Sequence, residues 1–429
     1  MISEDFLHYV WQFGLFNRTH LSTINSRDVL QILVVGVPNK DAGPDFYHAK
    51  IKTSHEIWAG NIEIHVRSSD WQKHKHHLDA AYDNVVLHVV YEYDKPTLRS
   101  DGTIVPVLEL KNRIFPHVIE KSNYLLQKKS TWIPCEQQIG SINKISIDGW
   151  LSRLLVERLE HKLANINECL TEQKGSWDDT FYIFLARNFG FKINGLPFEM
   201  LAKSLSQVLL AKHKQTPLQI EALIFGQAGF LEGTFKDEYH HLLQQEYQFL
   251  QQKYELKPLN ISIWKFMRTR PQNFPTIRLA QFATLVNQSN HLFSKIISTE
   301  NVQEIRKLFT KIKSTHYWQN HYRFDSDTPT FSNKTLGKNA IDNILINTIA
   351  LFLFAYGKHM GSEIYMDRAI ELLENIPAEK NAIITQFNAL GIKYHSAFYS
   401  QALLQLKNNY CDPKKCLTCG IGSIIIQKK

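Results

Sequence analysis

Asp45, Glu63 and His65 are the residues whose types and spacing point most directly to chemistry. Asp45 closes the tight-turn segment Ala42-Gly-Pro-Asp45 and opens a strand. Glu63 and His65 lie in the strand-like run Ile57 to Val66, and strand alternation puts both on one face. An acid at the start of one strand and a Glu-x-His pair on the next can converge on a divalent cation. Carboxylate oxygens suit Mg²⁺ or Mn²⁺, and one imidazole tilts the choice toward Mn²⁺. Such a site can activate water and neutralise charge on a phosphodiester. The bland alternative is that Asp45 caps a turn and Glu63 is a paired strand residue.

Seven of the nineteen histidines fall between His48 and His88. The segment Trp71 to Tyr82, which follows Ser68-Ser-Asp70, reads as a helix. On it His74 and His77 would share a face at i, i+3 while His76 points elsewhere. Taken singly, each histidine is more often a satisfied structural residue than a ligand; only the clustering argues otherwise. His77 and Tyr82 are candidates to contact nucleic acid.

A second set of candidate ligands is sulfur. Cys411, Cys416 and Cys419 fall within nine residues on a turn followed by glycines, and Cys135 stands isolated far upstream. Four thiolates would suit zinc or an iron–sulfur cluster, with reduced, unligated thiols as the alternative. Cys169 reads as a core residue on a helix. A third candidate is the basic and aromatic stretch Lys265 to Arg278. There Arg268, Arg270 and Arg278 could meet phosphate, with Phe266 or Phe274 for stacking. The competing reading is a loop whose arginines cap helix ends.

The elements that would position these groups change character along the chain. Ser3 to Phe16 reads as an amphipathic helix with Ser3 as cap and Phe6, Tyr9, Val10 and Phe13 on its apolar face. Val29 to Val37 is a near-continuous β-branched run, as in a strand covered on both faces. Strands are expected at Tyr47–Thr53, at His55 onward through Glu63, at Val85–Tyr91 and at Ile104–Leu110. Residues 1–130 therefore form an α/β domain, and 131–145 a linker holding Cys135. Residues 146–429 form a large all-α domain ending in the cysteine motif. No fixed repeat period is visible.

Composition sets the outer bounds. A net charge of +8 fits a polyanion partner without requiring one. The acidic, amphipathic start is not a secretory leader. The most apolar run, Ile341 to Tyr356, is interrupted by Asp342, Asn343 and Asn347 and reads as a buried helix, not a membrane span. Five cysteines make no disulfide framework, and a cytoplasmic protein is expected. Phosphate-loop, dinucleotide-glycine and Gly-x-Ser-x-Gly signatures are missing from the sequence.

Pro44-Asp45 and Glu63-Ile-His65 resemble the PD-(D/E)xK, restriction-endonuclease-like nucleases, except that His65 stands where the motif has Lys. The resemblance covers about the first quarter of the chain. It implies a mixed sheet flanked by helices, in which Asp45 and Glu63 bind Mg²⁺ or Mn²⁺. His65 would be a third ligand or a substitute for the Lys. His77 to Tyr82 only rhymes with the Gln-x-x-x-Tyr helix of exonuclease members. One upstream cysteine and three C-terminal ones resemble the iron–sulfur closure of some helicase-associated and CRISPR-associated members. The spacing differs, however, and Cys135 follows the nuclease-like motifs where theirs precedes them. Over nearly its full length the chain also resembles an uncharacterised bacterial domain-of-unknown-function family. The carrying segments are Gly43-Pro-Asp-Phe, Gly60-Asn-Ile-Glu-Ile-His, Ser69-Asp-Trp, Arg270-Pro-Gln-Asn-Phe-Pro and Lys415-Cys-Leu-Thr-Cys-Gly-Ile-Gly.

These readings converge on a metal-dependent nuclease-like protein that hydrolyses or binds nucleic acid, DNA ahead of RNA, with no membrane role. The helical domain would hold substrate or a protein partner, and the cysteines would tie the two domains together. The alternative is a non-catalytic binding scaffold on a degenerate nuclease fold.

Overall fold

The computed structural model describes residues 2–24, 28–54, 56–127, 131–328 and 331–428. It divides into two compact units. The first comprises residues 1–151, 389–392 and 405–429; the second comprises 152–388 and 393–404. Gln405–Lys429, assigned by sequence to the helical domain, therefore belongs to the first unit. The cause is apolar: Ile421, Ile425 and Ile426 of the last helix, Gly420–Gln427, are buried, and that helix packs on α3 (Pro116–Gln127). The four candidate cysteines consequently lie within one unit rather than tying two together.

In unit 1, α1 (Glu4–Phe13) starts where the Ser3 hydroxyl accepts the Phe6 N–H at 3.3 Å and stops at the left-handed Gly14. Its buried face is Phe6, Leu7, Tyr9, Val10 and Trp11; Phe13, expected on that face, is exposed. The strands follow as β1 (Leu21–Ser22), β2 (Val29–Val34), β3 (Val37–Pro38), β4 (Phe46–Lys52) and β5 (Ile57–Arg67). After α2 (Asp70–Lys73) come β6 (Val85–Glu92) and β7 (Val107–Glu109). They make one mixed sheet in the order β1-β2-β4-β5-β6-β7, with β3 also on β4. Pairing is antiparallel from β1 through β5 and parallel from β5 to β7.

One strand-level expectation changes. Val29–Val37 is not covered on both faces: Val29, Leu33, Val34 and Val37 are exposed, because β2 lies near the sheet edge with only the two-residue β1 beyond it. The doubly covered strands are β5 and β6 at the centre, where Ile62 to His65 and Leu87 to Val90 are buried in unbroken runs. His55, expected to lead into β5, lies outside the described residues.

The β5–β6 approach is tight at Gly60, where an added Cβ would meet the Asn84 carbonyl oxygen and a Val86 methyl, both at 2.5 Å. Gly60→Ala should therefore push the two strands apart, with a loss of about 1–3 kcal/mol in urea unfolding. An unchanged midpoint would show that the pair can give way locally.

Unit 2 is helical almost throughout, as its sequence implies. Its most apolar stretch, Lys338–Met360, is long and apolar enough to cross a membrane, yet 78% of its most apolar window is buried within the protein. That marks it as a core helix. A π-helical turn, Leu345–Ile349, interrupts it.

Candidate metal centre

The loop before β4 delivers Asp45. Asn39 organises this loop: its side-chain amide donates to the carbonyls of Asp41 (2.9 Å) and Pro44 (3.0 Å). The Asn39 N–H donates to the Asp45 carbonyl at 2.7 Å. Asp45 then faces the next strand, where the Ile64 N–H donates to Asp45 Oδ2 at 2.8 Å. In return the Asp45 N–H donates to Glu63 Oε2 at 3.2 Å. Asp45 and Glu63 are thus tied together by two hydrogen bonds between the strands, and the Asp45 carboxylate is spent on β5 and His8, not on its own turn. Those bonds leave the other oxygen of Glu63, which faces imidazoles.

Glu63 Oε1 lies 3.1 Å from His76 Nε2 and 3.5 Å from His65 Nε2. His65 Nε2 is in turn 3.1 Å from His74 Nδ1. One nitrogen from each of His65, His74 and His76 falls within a 4.8 Å span. From α1, His8 Nε2 reaches Asp45 Oδ2 at 3.2 Å.

The expected helix Trp71–Tyr82 breaks into α2 and two short 3-10 turns, His76–Leu78 and Ala80–Tyr82. The break is at Lys75, whose backbone is left-handed at φ 64°. This reverses the face assignment made on a continuous helix: His76 turns inward beside His74, and His77 is left out of the triad. Asp94 pins the start of α2 by accepting from the Ser69 N–H (2.8 Å), the Ser69 hydroxyl (2.7 Å) and the Ser68 hydroxyl (2.9 Å). Trp71 is fully buried against Val85 and Val105, and its indole N–H donates to the Leu98 carbonyl at 2.9 Å. Tyr82, expected to contact nucleic acid, stacks on His76 with ring centroids 3.8 Å apart and forms a wall of the cluster.

Behind the triad runs a chain of neutral groups. His65 Nδ1 is 2.8 Å from His88 Nε2, and His88 Nδ1 is 2.9 Å from Thr97 Oγ1. Parallel register sets Glu63 opposite His88, so all three side chains share a sheet face. Burial, then the neighbouring imidazoles, push His65 down to about 2; burial, then His76, pushes His88 down to about 3. Each ring therefore carries one proton. If His65 holds it on Nδ1 and donates to His88, His65 Nε2 presents a lone pair to the triad, the tautomer a metal ligand needs.

Burial pushes the Glu63 carboxyl up against the pull of His76, with Asp45 adding to the rise. Burial lowers His8, but its hydrogen bond and charge interaction with Asp45 outweigh that and raise it overall. The donor set fits a cation: His76 Nε2 is buried and makes no well-aligned hydrogen bond, although a carboxylate oxygen lies beside it. Three imidazoles with carboxylate suit Mn²⁺ or another transition ion better than Mg²⁺.

The neutral pair has a consequence for stability. Both imidazoles titrate near 6.5 in the unfolded chain and far lower in the folded one, so acid favours unfolding. Metal-free protein should keep its full stability above pH 6.5. It should then lose about 1.4 kcal/mol per pH unit per histidine as the pH falls toward 4. Urea midpoints between pH 7.5 and 4 measure this, and a flat profile would contradict two buried neutral rings.

In the basic segment of unit 2 the three arginines have different settings. Arg278 is buried, donates to Gln281 Oε1 (2.9 Å) and Asn273 Oδ1 (2.6 Å), and lies 4.5 Å over the Phe191 ring. These contacts give it a packing role, and it also lines a pocket with Arg270, Lys334 and Lys338. Phe266 and Phe274 pack edge to face at 5.1 Å, with Arg323 over both. Arg268 and Arg270 are exposed.

His8, Asn39 and Thr97 had no sequence signal; each stands alone among ordinary helix or loop residues and acquires meaning only through its contacts. Comparison with curated proteins and with solved structures finds no match. A protein-family comparison does: over residues 4–382 the chain matches the family described as a protein of unknown function, DUF2851, and it belongs to that family.

Proposed function

We propose that unit 1 is a metal-dependent phosphodiesterase acting on nucleic acid. The observation that carries this reading is the gathering of the His65, His74 and His76 nitrogens beside Glu63, with Asp45 hydrogen-bonded to the same strand. The topology supports it as well. A helix, three antiparallel strands (β2, β4, β5), a helical turn and a parallel strand (β6) follow one another, as in the restriction-endonuclease-like core. Asp45 opens the second of those strands and Glu63 lies on the third, where the PD-(D/E)xK motif has its acids.

A divalent ion bound here would lower the pKa of a coordinated water and offset charge on the phosphate. The chain's own residues divide the remaining work. Asp45, Glu63, His65, His74 and His76 would hold the ion. His65 does not replace the Lys of the motif as a fixed charge, because burial keeps it neutral. A protonatable group beside Asp45 is His8, one-third exposed and held toward its charged form by that carboxylate. It is placed to offset phosphate charge or return a proton to a leaving oxygen.

The test is cleavage of single- and double-stranded DNA and RNA with Mn²⁺ or Mg²⁺, wild type beside Asp45→Asn. Cleavage lost in the variant and on chelation supports the reading. Equal traces in both would be a contaminant. Stoichiometric metal without cleavage of any substrate would favour the binding scaffold, for which the missing motif Lys speaks.

A further inference from the structure

Outside the histidine site, the chemistry-bearing side chains that unit 1 gathers are sulfur. Cys135, Cys411, Cys416 and Cys419 are each at most 8% exposed, and none is in a disulfide. Each is near enough to the others for their charges to interact, although Cys135 and Cys411 are far apart in sequence. We propose that these four cysteines hold a tetrathiolate metal centre, either one zinc ion or one iron–sulfur cluster.

The backbone around them is shaped for sulfur. Cys411 ends a π-helical turn, Lys407–Cys411, closed by the Asp412 N–H donating to the Lys407 carbonyl at 2.9 Å. Such turns reposition one side chain within a helix and recur at functional sites. The chain then reverses through the left-handed Lys414. It brings Cys416 and Cys419 to the start of helix Gly420–Gln427, two intervening residues apart as in metal-binding Cys-x-x-Cys turns. The Ile421 and Gly422 N–H groups lie beside the Cys419 sulfur and favour its anion. Two glycines make the closure sterically feasible. A Cβ on Gly422 would meet the Cys416 carbonyl oxygen at 2.2 Å, and one on Gly420 the Trp150 ring at 2.7 Å. The upstream ligand is brought in by its own neighbours: Lys407 Nζ lies 5.2 Å over the ring of Trp132, three residues before Cys135.

Charge beside the sulfurs suits ligands rather than bare thiols. Lys407 and Lys414 stand near Cys411 and Cys416 and favour their anions. Backbone N–H donors aimed at a sulfur serve a thiolate far better than a thiol. The spacing Cys-x4-Cys-x2-Cys occurs in iron–sulfur proteins, and its Cys-x2-Cys half in zinc sites, so the shared thiolate chemistry is what the structure assigns.

The test is metal and acid-labile sulfide analysis of full-length protein purified without air, with X-ray absorption at the edge of the metal found. The expected result is one centre per chain with sulfur ligands, near 2.3 Å for zinc. Brown colour with iron and sulfide identifies a cluster; colourless protein with zinc identifies the single ion. The centre should be lost in Cys416→Ser and Cys419→Ser and kept in Cys169→Ser. Sulfur ligation is read on wild type, so misfolding of a cysteine variant does not blunt the test. It also separates this centre from any ion at the histidine site, whose ligands are nitrogen and oxygen. Wild-type protein with no stoichiometric sulfur-ligated metal overturns the proposal.

Discussion

Glu63→Ala should abolish metal-dependent cleavage, lowering the rate by about three orders of magnitude or more. That is the size expected when several kcal/mol of metal-based charge stabilisation are lost. Glu63 is the sharpest position because its two oxygens do different work. Oε2 accepts the Asp45 N–H and fixes the loop; Oε1 faces His65 and His76. Glu63→Gln separates these roles, since an amide keeps much of the shape but loses the charge. Calorimetric titration with Mn²⁺ should show binding weakened in both variants, with circular dichroism unchanged in Glu63→Gln. Full activity in Glu63→Gln would remove the carboxylate from the chemistry and leave it a packing role.

The second large effect is structural. Trp71→Ala should cost about 3–5 kcal/mol, the usual range for emptying a fully buried tryptophan site. The indole fills the space between Val85, Val105 and Tyr82, and its ring centroid lies 5.4 Å from that of His76 and 5.2 Å from that of His88. Its removal leaves the Leu98 carbonyl without its donor. The same variant should therefore lose metal affinity, because both the triad and its supporting histidine lean on the lost ring. Urea unfolding and Mn²⁺ titration on one preparation would test the link. A destabilised protein with wild-type affinity would show that the imidazoles are held by their hydrogen bonds alone.

The site was legible where period-two alternation operates and opaque where the backbone leaves a regular period. Glu63 and His65 share a face because β5 is regular there, and Asp45 meets them because a Gly-Pro turn starts β4. His76 was placed off the face of His74 because helical spacing was applied across Lys75, and a single left-handed residue overturns that placement. His8 comes from a separate element, and nothing in an amphipathic helix signals which polar residue will meet a carboxylate. For Arg278 composition left a phosphate contact and a structural role both open, and its burial under an aromatic face shows the structural one. Val29–Val37 had the composition of a central strand but the place of a near-edge one, and place is set by topology. Helix throughout unit 2 followed from its apolar spacing, whereas the return of the last residues to unit 1 did not.

That return has a consequence for how the protein is made. The ribosome adds about 250 residues between Leu151 and Gln405 before the first unit receives its closing segment. At about 5–20 residues per second, the interval is on the order of 10 to 50 seconds. Until then the α3 surface that receives Ile421, Ile425 and Ile426 stays open, and Cys135 waits for its three counterparts. The first part synthesised is thus the last to be finished. All four sulfurs can come together only after Cys419 has been translated, about 280 residues after Cys135.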